Sequence, residues 1–281
     1  MPKCNVCHNQ CDLKEGGIGL CKARICIDGK VLPRNYGHIT SIALDPIEKK
    51  PLNLFYLGSK IISVGSYGCN LRCPFCQNHE ISYDFGKEYP YGFREMSPKE
   101  VADIALKYKD EGNIGIAFTY NEPLVGYEFV VDAAKKVHER GMKTVLVSNG
   151  NVTGEVAKQV IPHIDAMNID LKGFTDKYYQ DVLGGDRKLV MDFISMAAGA
   201  CHLEVTTLVV PGFNDTENEI KELSKWIASL DEGMGKEKVA LHISRYFPRF
   251  RMDAPATDVD LIYRLKGVAE KELDHVFTGN C

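Results

Sequence analysis

From about residue 60 the chain alternates short, nearly continuous apolar runs with longer amphipathic stretches, a pattern that predicts strand, loop and helix in repetition. Residues 61–64, 114–118, 144–147, 166–170, 203–210 and 239–243 are the predicted strands. Ser97 and Pro98 cap a predicted helix that runs to about Glu111, and further helices are predicted at 124–139, from 155 to 160 and beyond, at 189–198 and at 215–230. Strands apolar on both faces and interleaved with helices predict a parallel sheet covered by helices. Periodicity does not separate a partial barrel from a doubly wound open sheet. Residues 25–60 follow a different rule, with short alternating runs at 29–32 and 39–44 and with Pro46 and Pro51 as punctuation, so they read as a β-rich approach to the core.

Composition narrows the setting. A chain of 281 residues with 44% hydrophobic content is long enough to bury a full core in one large α/β domain. Its formal net charge of −4 provides no general attraction to nucleic acid or to an anionic membrane, so a nucleic-acid partner is unsupported. No apolar run reaches the roughly 20 residues that span a bilayer, and Met1-Pro2-Lys3-Cys4 lacks the plan of a signal peptide. The expectation is a cytoplasmic protein with no membrane partner. Ten cysteines in a reducing compartment then point to metal more than to disulfides.

Two cysteine groups stand out. Cys69, Cys73 and Cys76 form a C-x3-C-x2-C triplet just after the strand at 61–64, at the strand's carboxyl end, where barrel and α/β enzymes place chemistry. Four thiolates close a zinc ion or an iron-sulfur cluster completely, whereas three on a four-iron cubane leave one iron open for a ligand. A structural zinc site or chance clustering is the bland alternative. The second group, Cys4, Cys7, Cys11 and Cys21, supplies four thiolates in a short glycine-rich knuckle with little core of its own, which suits a closed zinc site or a second cluster. His8 is able to replace one of these thiols, while Cys26, between Ile25 and Ile27, reads as a packed strand residue.

The triplet, with the aromatic Phe75 just before its last cysteine, resembles the signature of the radical S-adenosylmethionine (SAM) superfamily. That resemblance implies a partial (β/α)6 barrel, a 4Fe-4S cluster whose open iron binds SAM, and reductive cleavage of SAM to a 5'-deoxyadenosyl radical that abstracts hydrogen from a substrate. Tyr120, Asn121 and Glu122 occupy the family's Gly-Gly-Glu loop; the glutamate matches and the glycines do not, so a backbone role towards SAM is what carries over. Ser148-Asn149-Gly150 resembles the Thr-Asn-Gly turn of activating enzymes, offering hydrogen bonds to the ribose or carboxylate, and Asp170 lies in the matching Asp-Leu-Lys motif. The run through Val210 and Gly212 matches the Val-Val-Pro-Gly turn that approaches adenine, with Thr206 where some relatives carry arginine. Lys172, Arg245 and Tyr246 are candidate substrate contacts.

Taken with the N-terminal knuckle and the run His242-Ile243-Ser244-Arg245-Tyr246-Phe247-Pro248, these motifs resemble the AmmeMemoRadiSam system radical SAM enzyme, a relative of the pyruvate formate-lyase activating enzymes. The resemblance implies Memo-like and AMMECR1-like partners and a flavodoxin- or ferredoxin-type electron donor. It divides the chain into a knuckle and approach at 1–58 and a core barrel at 59–281. Such proteins usually continue beyond Cys281 into another cysteine-containing segment, so truncation there and an orphan ligand are expected. A glycyl-radical-enzyme activase and a non-catalytic metal scaffold or electron carrier are the competing readings. A carrier needs neither an open iron nor six barrel units.

Overall fold

In the computed structural model, which describes residues 1–83, 92–230 and 238–281, a hairpin of β1 (Arg24–Ile27) and β2 (Lys30–Pro33) follows the N-terminal cysteines. β3 (Ser41–Pro46) then pairs antiparallel with β4 (Lys60–Gly65). Each later strand adds in parallel: β5 (Asn113–Phe118), β6 (Lys143–Ser148), β7 (Ala166–Asp170), β8 (His202–Val209), β9 (Ala240–Arg245) and β10 (Val276–Gly279). The resulting sheet is eight-stranded, with β3 and β10 at its two ends. The ends do not pair, so the α/β fold is an open, partial barrel. The six strands expected from the sequence are β4 to β9. β3, from the approach segment, joins the same sheet, which therefore runs across the expected boundary at residue 58.

Helices α1 (Pro98–Lys107), α2 (Tyr127–His138), α3 (Gly154–Val160), α4 (Arg187–Ala197), α5 (Glu217–Leu230) and α6 (Val259–Ala269) cover the outer face. Local chemistry starts several of them. Ser97 opens α1 with a reciprocal capping box: its Oγ accepts from the Glu100 amide while the Glu100 carboxylate accepts from the Ser97 amide. Asp186 and Asp258 cap α4 and α6 in the same sense. The buried positions Val101, Ala102 and Ala105 of α1, and Phe129, Val130, Ala133, Ala134 and Val137 of α2, recur at helical spacing and pack with outward-facing Ile62, Val64, Ile116 and Phe118 in the main core.

The inner face is filled differently. Ile61, Ala117, Val145 and Ala166 meet Ile47, Leu52 and Phe55, which belong to the segment joining β3 to β4, and this segment lays an apolar floor across one end of the barrel. Polar side chains then hold the floor to the strands. Glu204 of β8 accepts from the amides of Asn53 (3.0 Å) and Leu54 (2.8 Å) and is hydrogen-bonded to the rings of His202 (2.9 Å) and His242 (2.5 Å). Asn168 of β7 donates to the Pro51 carbonyl and accepts from the Thr206 hydroxyl, both at 2.8 Å. Thr206 is thus committed to the barrel interior. Two residues after Ile61 on the same face, Ser63 donates to Asp45 (2.8 Å), which also receives Lys50 (2.9 Å).

Candidate active site

The loop leaving the carboxyl end of β4 carries Cys69, Cys73 and Cys76 and ends in the short helix His79–Ser82. Its start is clamped from the loop after β5: Asn121 accepts from the Ser66 amide (2.9 Å) and donates to the Gly68 carbonyl (3.1 Å). Its far side is clamped by the segment after β9, where the Arg251 amide donates to the Pro74 carbonyl (2.9 Å) and Phe250 stacks on His79 with ring centres 4.4 Å apart. Phe75 meets Tyr246 edge-on at 6.1 Å.

The three thiols are neighbours. Burial pushes all three upward in pKa; Cys69 is raised further by Cys73 and Cys76, and Cys73 by Cys76, Cys73 reaching about 11 even though the Lys172 ammonium pulls it down. A buried thiolate in this setting needs a positive partner, which iron would supply. Cys69 Sγ already accepts from the Leu71 amide (3.4 Å) and the Asn149 side-chain amide (3.7 Å), as a cluster thiolate does. Among the described residues no three His, Cys, Asp or Glu side chains close on a point as they do around a single metal ion. A cubane spreads its ligands over different irons and so takes thiols that lie further apart than the ligands of one ion.

The expected SAM residues form a frame. Glu122 is 3% exposed and its carboxylate accepts from Ser148 Oγ (2.7 Å) and from the amides of Asn149 (2.8 Å) and Leu124 (3.0 Å). Burial raises its pKa to about 7 against the pull of those donors. Asn149 donates to Asn70 Oδ1 (2.9 Å) as well as to Cys69, so the loops after β4, β5 and β6 are tied into one unit. Tyr120 has a left-handed backbone (φ 73°), the conformation that makes glycine usual at such a position. Its ring turns inward, with its hydroxyl on Asp45 (3.0 Å) and the Lys50 ammonium 5.1 Å from its centre. The Val210 amide donates to Asn214, and exposed Gly212 (φ 79°), whose amide donates to Asp215, has open space where a side chain would be.

Asp170 stands partly open at the carboxyl end of β7 in an ion pair with Lys172 (2.7 Å). Burial opposes the charge on Lys172, but Asp170 and the nearby Cys73 hold its pKa above the ordinary lysine value. Tyr246 differs from the sequence expectation. It is 1% exposed and donates its hydroxyl to the Met252 carbonyl (3.2 Å), which commits it to the packing beneath Phe75; Arg245 Nε is likewise spent on the Thr257 carbonyl (2.7 Å).

Sequence spacing did not reveal how the N-terminal knuckle joins this site. Asn9 donates to the Asn70 carbonyl (3.1 Å), and the Cys7 backbone bridges to Val152. A methyl group built on Gly68 would lie 2.5 Å from the Cys21 carbonyl oxygen and 2.8 Å from the Ala23 side chain. Cys69 is therefore flanked on both sides by residues that the knuckle touches. Within the knuckle, burial raises the Cys7 thiol with help from Cys4 and Cys11, and pushes Cys21 to about 12 with help from Cys7 and Cys4.

Residues 63–227, more than half of the chain, match the model of the Radical SAM superfamily. The chain belongs to the Radical SAM superfamily. It is 38% identical over 281 residues to an uncharacterized protein of Methanocaldococcus jannaschii, covering 99% of this chain and 81% of that one. It is 23% identical over 206 residues to the pyruvate formate-lyase-activating enzyme of Clostridium pasteurianum, covering 71% and 83%. In fold it is similar to a domain of the pyruvate-formate lyase-activating enzyme from Bacteroides vulgatus (TM-score 0.51, 20% identity, 59% of this chain and 99% of that one). A radical SAM methyltransferase from Sphaerobacter thermophilus gives a TM-score of 0.58 at 15% identity over 80% and 67%. This radical SAM enzyme therefore works with a 4Fe-4S cluster, SAM and an electron donor. No helix among its described residues is long and apolar enough to cross a membrane.

Proposed function

We propose that Cys69, Cys73 and Cys76 ligate the cluster, and that SAM lies over the carboxyl ends of the strands between Glu122, Ser148, Asn149, Asp170 and the turn at Val210 and Gly212. The observation that carries this is the frame in which Glu122, Asn149 and Asn70 tie three post-strand loops to Cys69. When bound, the cofactors supply a 5'-deoxyadenosyl radical for hydrogen abstraction. The chain's residues do the rest. Tyr120 and Asn121 hold the loop after β5 in the shape that turns backbone towards the SAM amine, and Phe75 packs under the cysteine loop. Asp170 and Lys172 set a charge pair at the mouth, and Lys172 faces substrate. Each Cys→Ala change in the triplet should abolish 5'-deoxyadenosine formation after anaerobic reconstitution with iron and sulfide, and retained product in any one of them would overturn the ligand set. Asp170→Asn should weaken SAM binding or slow cleavage with iron content unchanged.

The finer family reading is the AmmeMemoRadiSam system radical SAM enzyme, cytoplasmic, with Memo-like and AMMECR1-like partners and a flavodoxin- or ferredoxin-type donor. It is supported by the knuckle, which sits against the cysteine loop of the barrel. Within 1–58, Cys4, Cys7, Cys11 and Cys21 are proposed to bind zinc, drawing together thiols that already influence one another. Protein freed of its cluster should retain about one zinc per chain, and loss of that zinc on Cys11→Ala checks the site. A second reading, a glycyl-radical-enzyme activase, is favoured by the similarity to the pyruvate formate-lyase-activating enzyme. Incubation with SAM and deuterium-labelled candidate substrates separates the two: label reaching 5'-deoxyadenosine from a protein glycine selects the activase.

A further inference from the structure

The knuckle and the hairpin that follows it carry more than the proposed metal. Along the outward face of the hairpin, Ile25 pairs with Leu32 and Ile27 with Lys30, while Ile18 bridges to Ile25 from the other side. Ile18, Ile25 and Leu32 thus form one cross-strand row, with Ile27 on the same face; Ile18, Ile27 and Leu32 are each more than 40% exposed. Single exposed apolar residues need no explanation, whereas a row of them with a polar rim marks an interaction surface. The rim is basic. Lys3, Lys14, Lys22, Lys30 and Arg34 are exposed, and of the three carboxylates in residues 1–34, Glu15 is occupied by the amides of Asp28 and Gly29. This positive end belongs to a chain whose net charge is −4, so the remainder is more acidic still.

Position gives that surface a purpose. Ile25 is two residues from Ala23, and Ala23 packs where a Gly68 side chain would be, next to Cys69. On the opposite flank Asn9 reaches the Asn70 carbonyl, and its amide also lies 3.8 Å from Cys7 Sγ. The row is therefore joined to the first cysteine of the triplet by short, buried contacts. We propose that the outward face of the β1–β2 hairpin is the docking surface for an acidic one-electron carrier protein. One electron passes from the reduced carrier to the oxidised cluster, and the carrier leaves one electron poorer. A small apolar row in a segment rich in exposed basic residues suits a brief encounter steered by charge, the class of interface typical of redox partners. This inference rests on the proposal that Cys69, Cys73 and Cys76 hold the cluster.

The test uses an acidic flavodoxin in its hydroquinone state as donor and dithionite as a small donor that needs no docking surface. With flavodoxin, Lys22→Glu/Lys30→Glu and, separately, Leu32→Asp should lower the rate of cluster reduction about tenfold or more, and the wild-type rate should fall as ionic strength rises. Dithionite-driven reduction should be the same in all three proteins. Binding of flavodoxin to cluster-free protein should weaken in both variants, which tests the surface even if the cluster assignment fails. Unchanged flavodoxin rates and binding would overturn the proposal. So would equal losses with dithionite, since the residues would then serve the enzyme's own structure, or a wild-type dimer that Leu32→Asp dissociates, since a second copy would then cover the face.

Discussion

Gly68 is the position where the knuckle and the cysteine loop come closest, and two independent constraints meet there. Its backbone is left-handed (φ 94°), and any side chain would run into the Cys21 carbonyl. Gly68→Ala should lower unfolding stability by about 2 kcal/mol or more, read as a lower denaturant midpoint in metal-free protein, and should loosen iron retention in reconstituted protein. An equal midpoint would show that the knuckle yields there. Glu122→Gln should cost about 1–3 kcal/mol, because an amide cannot accept from three donors at once as the carboxylate does. Chemical shift or calorimetric stability measurements at pH 8 would detect it. The cysteine triplet stood out as a candidate by its spacing, and Glu122 by its resemblance to the family's loop and its place after β5. The bracing was not legible, because Glu122 and Ser148 meet only through the register of β5 and β6. Tyr120 shows the same limit: the sequence reveals a missing glycine, yet the loop retains the left-handed turn and uses the ring to reach Asp45.

Among the elements, α1 depends most visibly on its cap. Ser97→Ala removes the acceptor for the Glu100 amide and should cost about 1 kcal/mol, measured as a fall in thermal midpoint, with Ser97→Asp recovering most of it. This helix was readable because the signals that start it are local. The six central strands were readable because each is a short apolar run buried on both faces. The outer strands were harder. β3 places Asp45 towards the interior and ends at Pro46, so its hydrophobic pattern is broken by the polar contacts that it makes inside the barrel. β10 is only four residues long. α6 lies outside the helices predicted from the sequence, although its buried Ile262, Leu265 and Ala269 follow helical spacing, and so does the wide turn Tyr178–Leu183.

Across the molecule, one carboxylate makes two of the hydrogen bonds that hold the barrel floor. Glu204 has no exposed side-chain surface; burial would raise its pKa, but His202, His242 and two backbone amides outweigh that and bring it down from 4.5 to about 2. A carboxylate depressed in the folded state stabilises above its unfolded pKa, and that contribution is lost as pH falls through the folded value. Relative to Glu204→Gln, the wild type should therefore hold an advantage of about 3 kcal/mol near neutrality, shrinking from about pH 4.5 downward and gone near pH 2. Urea midpoints of both proteins across that range check the sign.

The floor also orders events in time. Leu54 and Glu204 lie 150 positions apart along the chain, so the segment that seals the barrel is made early while its anchor is made late. Contacts of such long sequence separation form slowly, because the intervening chain must be confined before they are rewarded. During synthesis Leu52 and Phe55 have no interior to enter until β7 and β8 have emerged. The early chain is therefore the part that most needs shelter from aggregation, and refolding from denaturant should be limited by the late closure of the barrel on a segment already waiting for it.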